Sequence, residues 1–209
     1  MKLNFTIILG IVIFFTSCSN NDKKKQNTVS TKKDTPVIEK AKKEETTKRP
    51  PIINIVDTVS AKRTIVYVKD SAANYERISL KLAEIYGVKL AEIFKKNDVK
   101  QVGPPMAWYK NQQPPFFFEA GIPVNKAPAK LLPGVFVKEI QIDSVIVAHF
   151  YGPYDLIPQA YNAIKERLKD TKKTAKGAPY EIYITDPLDK KGNPVDPYKV
   201  QTDIVFPRN

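Results

Sequence analysis

The chain has 209 residues, 42% of them hydrophobic, which suits one domain with a real core plus extra sequence at one end. Lys and Arg number 34 against 22 Asp and Glu, a formal charge of +12. Residues 19–50 carry ten basic and five acidic residues and Lys2 adds one more charge, so only +6 falls on residues 51–209. No basic helix and no Lys/Arg stripe interleaved with aromatics accompanies this excess, which argues against nucleic acid as a partner and for a solvated basic surface. Cys18 is the only cysteine and His149 the only histidine. That excludes disulfides within the chain and the usual zinc clusters, and no metal site is expected. G-x-S-x-G, P-loop and Ser-His-Asp patterns are also missing.

Met1-Lys2 is a minimal positive start, followed by an apolar run from Phe5 to Phe15 that is too short to span a membrane comfortably. Phe15-Thr16-Ser17-Cys18 then resembles the lipobox of bacterial lipoproteins, in which small residues precede a cysteine that is lipidated and becomes the mature N-terminus. The resemblance implies a signal peptide over residues 1–17 and a membrane anchor at Cys18, with the remainder outside the cytoplasm. Each buried CH₂ of such an anchor contributes ~0.8 kcal/mol. Ser19 is not acidic, which leans toward the outer membrane rather than the inner one. Residues 18–55 are Lys-rich with few aromatics and no hydrophobic period, and read as a disordered stalk able to lie against anionic headgroups. The folded domain is expected over residues 56–209.

Within that region the chain repeats itself. Gly103-Pro-Pro-Met-Ala-Trp-Tyr109 and Gly177-Ala-Pro-Tyr-Glu-Ile-Tyr183 share the pattern G-x-P-x-x-x-Y, and Glu119…Pro123 and Asp203…Pro207 each place an acid four residues before a proline. Strand-like runs led by Ile65-Val66 and Ile146-Val147 precede two helical stretches. The first helix is expected over roughly Asn74 to Lys96, with Ile78, Leu82, Ile85, Tyr86, Leu90 and Ile93 on its apolar stripe and a possible bend at Gly87. The second carries Ile157, Ala160, Tyr161, Ile164 and Leu168 on one face, with Asp155 as N-cap. Phe116 to Val124, Phe136 to Ile142, Val145 to Tyr151, Tyr180 to Thr185 and Thr202 to Phe206 read as strands, and Asp186 to Lys199 as a polar loop. The expected class is α+β, a duplicated strand-helix-strand-strand unit forming an antiparallel-rich sheet with both helices on one face.

GPPMAWY, FFFEAGIPV, HFYGPYDLIPQAYNAI, GAPYEIYITDP and TDIVFP together resemble the GyrI-like effector-binding domain, over about residues 60–209. This family includes the ligand-sensing half of many bacterial multidrug-responsive transcription activators and shares its fold with the SOUL haem-binding proteins. The resemblance implies a pseudo-twofold fold with a central ligand cleft between the helices. It also implies that Glu181, the glutamate of the E-x-Y strand, attracts cationic, lipophilic ligands. Signal and stalk occupy the place of the regulators' DNA-binding segment, so no transcriptional role is expected.

Strand alternation puts Glu181 and Tyr183 on one face. Trp108 or Tyr109 from the matching strand, Phe117 with Glu119 from the next, and Tyr151 and Tyr154 around the Gly152-Pro153 turn complete the expected ligand-binding set. Aromatic faces add cation–π attraction of ~0.5–2 kcal/mol each. Three readings follow: a monomeric binding module for a small hydrophobic, cationic molecule without a cofactor; a hydrolase using Glu181 with Tyr183 or Tyr109; and a haem protein with His149 as axial ligand.

Overall fold

The computed structural model describes residues 49–209, within a compact unit that spans Thr47–Asn209. The expected signal peptide, Cys18 and the stalk to residue 48 lie outside the described residues. No helix among the described residues is long and apolar enough to cross a membrane.

Eight strands form one sheet: β1 (Ile52–Val59), β2 (Arg63–Ala72), β3 (Met106–Tyr109), β4 (Phe116–Val124), β5 (Val135–Ile140), β6 (Ser144–Tyr151), β7 (Tyr180–Tyr183) and β8 (Gln201–Pro207). Their order across the sheet is β1-β6-β8-β7-β3-β4-β2-β5, and every pairing is antiparallel. The order is symmetric about the β7–β3 junction. Each half of the chain contributes strand, strand, helix, strand, strand, and the first strand of each half pairs with the other half: β1 with β6, and β5 with β2.

β1 corrects the expected boundary at residue 56. Ile52–Ile55 belong to this strand, and Ile53 and Ile55 pack against the core of the second half. This strand directly follows a Lys-rich run and two prolines, so its start merges in sequence with the segment before it. Its order comes from β6, nearly a hundred residues later in the chain.

The first helical stretch is continuous but changes winding. Asn74 caps α1 (Tyr75–Glu84), its side chain accepting from the Arg77 amide at 3.0 Å. A π-helical segment (Ile85–Leu90) follows, containing Gly87, and α2 (Ala91–Asn97) ends at Asp98 in the left-handed conformation. The bend expected at Gly87 is thus realised as wider winding. In the second half, Tyr154–Leu156 form a 3-10 turn leading into α3 (Ile157–Asp170). The cap position of α3 is Leu156, so Asp155 sits inside the turn rather than capping the helix.

Cross-strand register assigns the faces. Ala120, Ala107, Glu181 and Ile204 are successive partners across the sheet centre and share one face. Ala120 belongs to the core beneath α1 and α2, and Ile204 to the core beneath α3, so all the helices cover this face. On the opposite face Ile65, Met106, Val145, Tyr180, Ile182 and Val205 form a smaller core. Gly121 allows β2 and β4 to approach there: an added Cβ would lie 2.7 Å from both Ile65 Cγ2 and Tyr67 Cβ and 2.8 Å from the Val66 carbonyl oxygen. Because backbone is among the obstacles, relaxation is costly. Gly121→Ala is expected to destabilise the fold by about 1–3 kcal/mol, read as a lower urea midpoint with unchanged m-value.

Candidate functional site

A cavity of about 800 Å³ opens between α1 and the start of α3, above the strands at the sheet centre. One wall consists of Tyr75, Ile78, Ser79, Leu82 and Ala83 from α1 and Tyr86 and Gly87 from the π-helical segment that continues it, spaced by three and four residues and therefore on one helical face. Tyr154, Ile157 and Pro158 form the opposite wall, and Ile184 to Leu188 the lip beyond β7. Tyr109, Glu181 and Tyr183 rise from the floor. Ser79, Ala83 and Gly87, all small, keep the α1 side from closing over it.

Glu181 is 4% exposed and lies opposite Ala107, whose small side chain leaves space at the junction of the two halves. Its Oε1 accepts from the Tyr161 hydroxyl at 3.1 Å and its Oε2 from the Tyr183 hydroxyl at 3.0 Å. With Tyr183 donating to the carboxylate, the Tyr109 hydroxyl, 2.9 Å away, donates to Tyr183. Tyr86 donates to the Met106 carbonyl at 2.9 Å, and its ring and that of Tyr154 flank Tyr183 at 6.4 Å each. A buried carboxylate without donors would be strongly disfavoured; hydrogen bonds to a charged group contribute about 1.5–3 kcal/mol each.

Burial pushes the Glu181 carboxyl up to about 7, against the pull of the Tyr183 and Tyr161 hydroxyls, which lower it. Burial, reinforced by the Glu181 charge, raises the phenols of Tyr109, Tyr161 and Tyr183 well above their ordinary value, and burial is also the first cause for Tyr86. The tyrosines therefore remain neutral donors while Glu181 titrates near neutrality. Among the described residues, Glu181 and Asp186 are the only acidic or basic ones lining the cavity.

Four expected residues, Glu181, Tyr183, Tyr109 and Tyr154, meet in this cavity. The other four do not. Trp108 follows Ala107 on β3 and points to the opposite face, where it stacks on Tyr180 at 5.4 Å and carries Lys138 Nζ 3.2 Å from its ring centre. Phe117 and Glu119 share that face; Phe117 is 51% exposed, and Glu119 pairs with Lys138 at 2.8 Å and Lys69 at 3.6 Å. Tyr151 also lies there, donating to Gln201 Oε1 at 2.8 Å. His149, the candidate haem ligand, is on the same face, its Nδ1 2.7 Å from Asp203 and its ring outside the cavity. Alternation placed these residues correctly relative to one another, but only the register shows which face the helices cover. Two further tyrosines, Tyr86 in the cavity wall and Tyr161 hydrogen-bonded to Glu181, stand in the sequence reading only as apolar helix positions. The signal that could have found them is chemical, since a phenol on a core-facing stripe needs a partner for its hydroxyl.

No sequence-family model matches the chain, and no curated protein matches it in sequence. Solved structures do. The EcmrR C-terminal domain superposes with a TM-score of 0.64 at 16% identity, over 76% of this chain and 98% of that one. The fold is GyrI-like. EcmrR in a complex with DNA matches with a TM-score of 0.63 at 18% identity, over 75% of this chain, and this chain spans 57% of that one. SAV2435 bound to tetraphenylphosphonium matches at 12% identity with a TM-score of 0.48, over 75% and 94% of the two chains.

The shift at Glu181 has a consequence for stability. The unfolded chain releases this proton near 4.5 and the folded chain near 7. Between those values the folded state binds more protons, so this group lowers stability as pH rises through the window and has no further effect above it. Glu181→Gln is expected to flatten that slope and to exceed the native protein in stability by up to roughly 3 kcal/mol at about pH 8, measured by denaturant unfolding across the pH range.

Proposed function

We propose that this chain is a lipid-anchored envelope protein whose GyrI-like domain captures small, lipophilic, cationic molecules. The observation that carries the binding reading is the buried Glu181 carboxyl, hydrogen-bonded to tyrosine hydroxyls in an aromatic cavity that no basic side chain among the described residues lines. A bound cation would compensate the desolvated carboxylate, which here has neutral donors and no counter-ion among the described residues. Tyr86, Tyr109, Tyr154 and Tyr183 offer ring faces for the apolar remainder. The volume falls within the usual range for small-molecule sites. Cys18 and the preceding apolar run support the anchored setting, and the likeness to EcmrR supports the binding fold without specifying a ligand.

A carboxyl titrating near 7 also has the right value for a general base, so hydrolysis of a bound molecule is the second reading. The phenols around it argue against this role, being too weakly acidic to protonate a leaving group readily. Time-dependent loss of ligand, abolished in both Glu181→Gln and Tyr183→Phe, would establish the hydrolase.

Tetraphenylphosphonium and tetraphenylborate share one shape and differ in the sign of their charge. The cation is expected to bind and the anion to be rejected, with cation affinity rising as pH increases through about 7, where the carboxyl ionises. Glu181→Gln is expected to remove both the preference for the cation and its pH dependence in calorimetric titrations. Equal affinity for the two ions would overturn the cationic reading. Anchoring is checked separately: the native chain should incorporate labelled palmitate and fractionate with membranes, whereas Cys18→Ser should do neither.

A further inference from the structure

We propose that the cavity is built for elongated dications, molecules carrying a positive group at each end of an apolar middle. This inference rests on the cationic reading of the cavity and specifies its ligand more narrowly. Two carboxylates line the same cavity at different depths. Glu181 lies at the floor, 4% exposed, whereas Asp186 is exposed and belongs to the lip. They are five positions apart in sequence, so at ~3.3 Å per residue their α-carbons are no more than about 16 Å apart. That is within the reach of a ligand with a medium-length chain.

The lip holds Asp186 in place. Its Oδ1 accepts from the Leu188 amide at 2.9 Å, which closes a tight turn, and its second oxygen makes no hydrogen bond among the described residues. Below it, the amides of Ile184 and Thr185 both donate to the Gln201 carbonyl, tying this part of the lip to β8. The same cavity is lined by Leu82, Ile157, Ile184 and the Tyr154 ring, an apolar surface for the middle of such a ligand. The Tyr154 hydroxyl responds to both charges: burial pushes it up to about 12, and Glu181 and then Asp186 add to the effect. Lys190, Lys191 and Lys199 belong to the same loop as Asp186, yet none of them lines the cavity. A ligand with one positive head at Glu181 leaves the lip carboxylate unused, and a second head at the far end engages it.

Decamethonium and decyltrimethylammonium are suitable probes, because they share a ten-carbon chain and differ by the second charged head. Asp186→Asn retains an oxygen for the Leu188 amide and removes only the charge, so the lip should keep its shape. In low-salt buffer, where an exposed charge is least screened, Asp186→Asn is expected to weaken decamethonium about two- to fivefold and to leave decyltrimethylammonium unchanged. Glu181→Gln is expected to weaken both. If Asp186→Asn affects both ligands equally, or neither, the dication inference is overturned while the single-cation reading stands. If neither ligand responds to Glu181→Gln, the cationic reading of the cavity falls and this inference falls with it. Thermal melting of each variant, unchanged for Asp186→Asn, separates a lost charge from a disturbed lip.

Discussion

A carboxyl group placed in an apolar hollow either finds donors or gives up its charge. Glu181 lies between these outcomes: two tyrosine hydroxyls hold its oxygens, a third tyrosine supports one of those two, and burial still raises its titration to about 7. The tyrosines come from three separate parts of the chain, β3, α3 and β7, so the arrangement exists only when both halves of the fold are assembled. Phenols suit this task because they remain neutral. A lysine or arginine in the same place would satisfy the carboxylate permanently and leave nothing for a ligand to do. The carboxylate is held by a shell that supplies neutral donors and no counter-charge among the described residues, which is the feature the proposed cation binding would use.

The duplication explains where such a site can be built. The central strands β3 and β7 descend from matching segments, and register sets Ala107 directly opposite Glu181. If both halves carried a glutamate here, two carboxylates would share one buried position and repel each other, raising one pKa strongly. Alanine in one half and glutamate in the other avoids the repulsion and provides the volume that the larger side chain requires. Tyr109 and Tyr183, by contrast, occupy matching positions in both halves and touch across the junction. Symmetry is kept where two identical groups can hydrogen-bond and abandoned where two identical charges could not coexist. The exchange of β1 and β5 between the halves locks this junction, since neither half completes its own share of the sheet.

Much of this was legible in the sequence. The paired G-x-P-x-x-x-Y segments located the two central strands and, through alternation, the Glu181–Tyr183 pair on one face. Phe116 to Val124 is bounded as β4 because three phenylalanines open it and Ile122 and Val124 close it. What sequence could not supply was the sign of a face. Phe117 and Glu119 alternate as strand residues should, yet the helices cover their neighbours Phe116 and Phe118, and that choice depends on pairing with β2 and β3. β1 was missed for a similar reason, because its stability comes from β6 and from α3 rather than from its own composition. Tyr161 was recognised as a core position but not as a donor, since periodicity reports which way a residue points and not what its hydroxyl meets.

The beginning of the fold adds a constraint on the mouth of the cavity. The Arg49 guanidinium lies 3.8 Å over the Tyr198 ring, and the Tyr198 hydroxyl donates to the Arg49 carbonyl. Pro51 packs so closely on Gly152 that a Cβ there would lie 2.9 Å from it, and Gly152 precedes the Pro153-Tyr154 step that enters the cavity wall. Tyr198 closes the loop whose other end, Asp186 to Leu188, forms the lip, and Val195 in that loop donates its amide to Pro187 at 2.9 Å. The segment that leads into β1 therefore braces both sides of the opening. Leu188 and Ile184 line the cavity while remaining 48% and 43% exposed, so the opening has an apolar edge where the bracing is applied. A loop of this composition, with three aspartates capping its own turns and little buried surface, would otherwise have few contacts to fix it. Fastening it to the start of the domain restrains the lip that carries Asp186, and such restraint is what the proposed recognition of two charges at once would require.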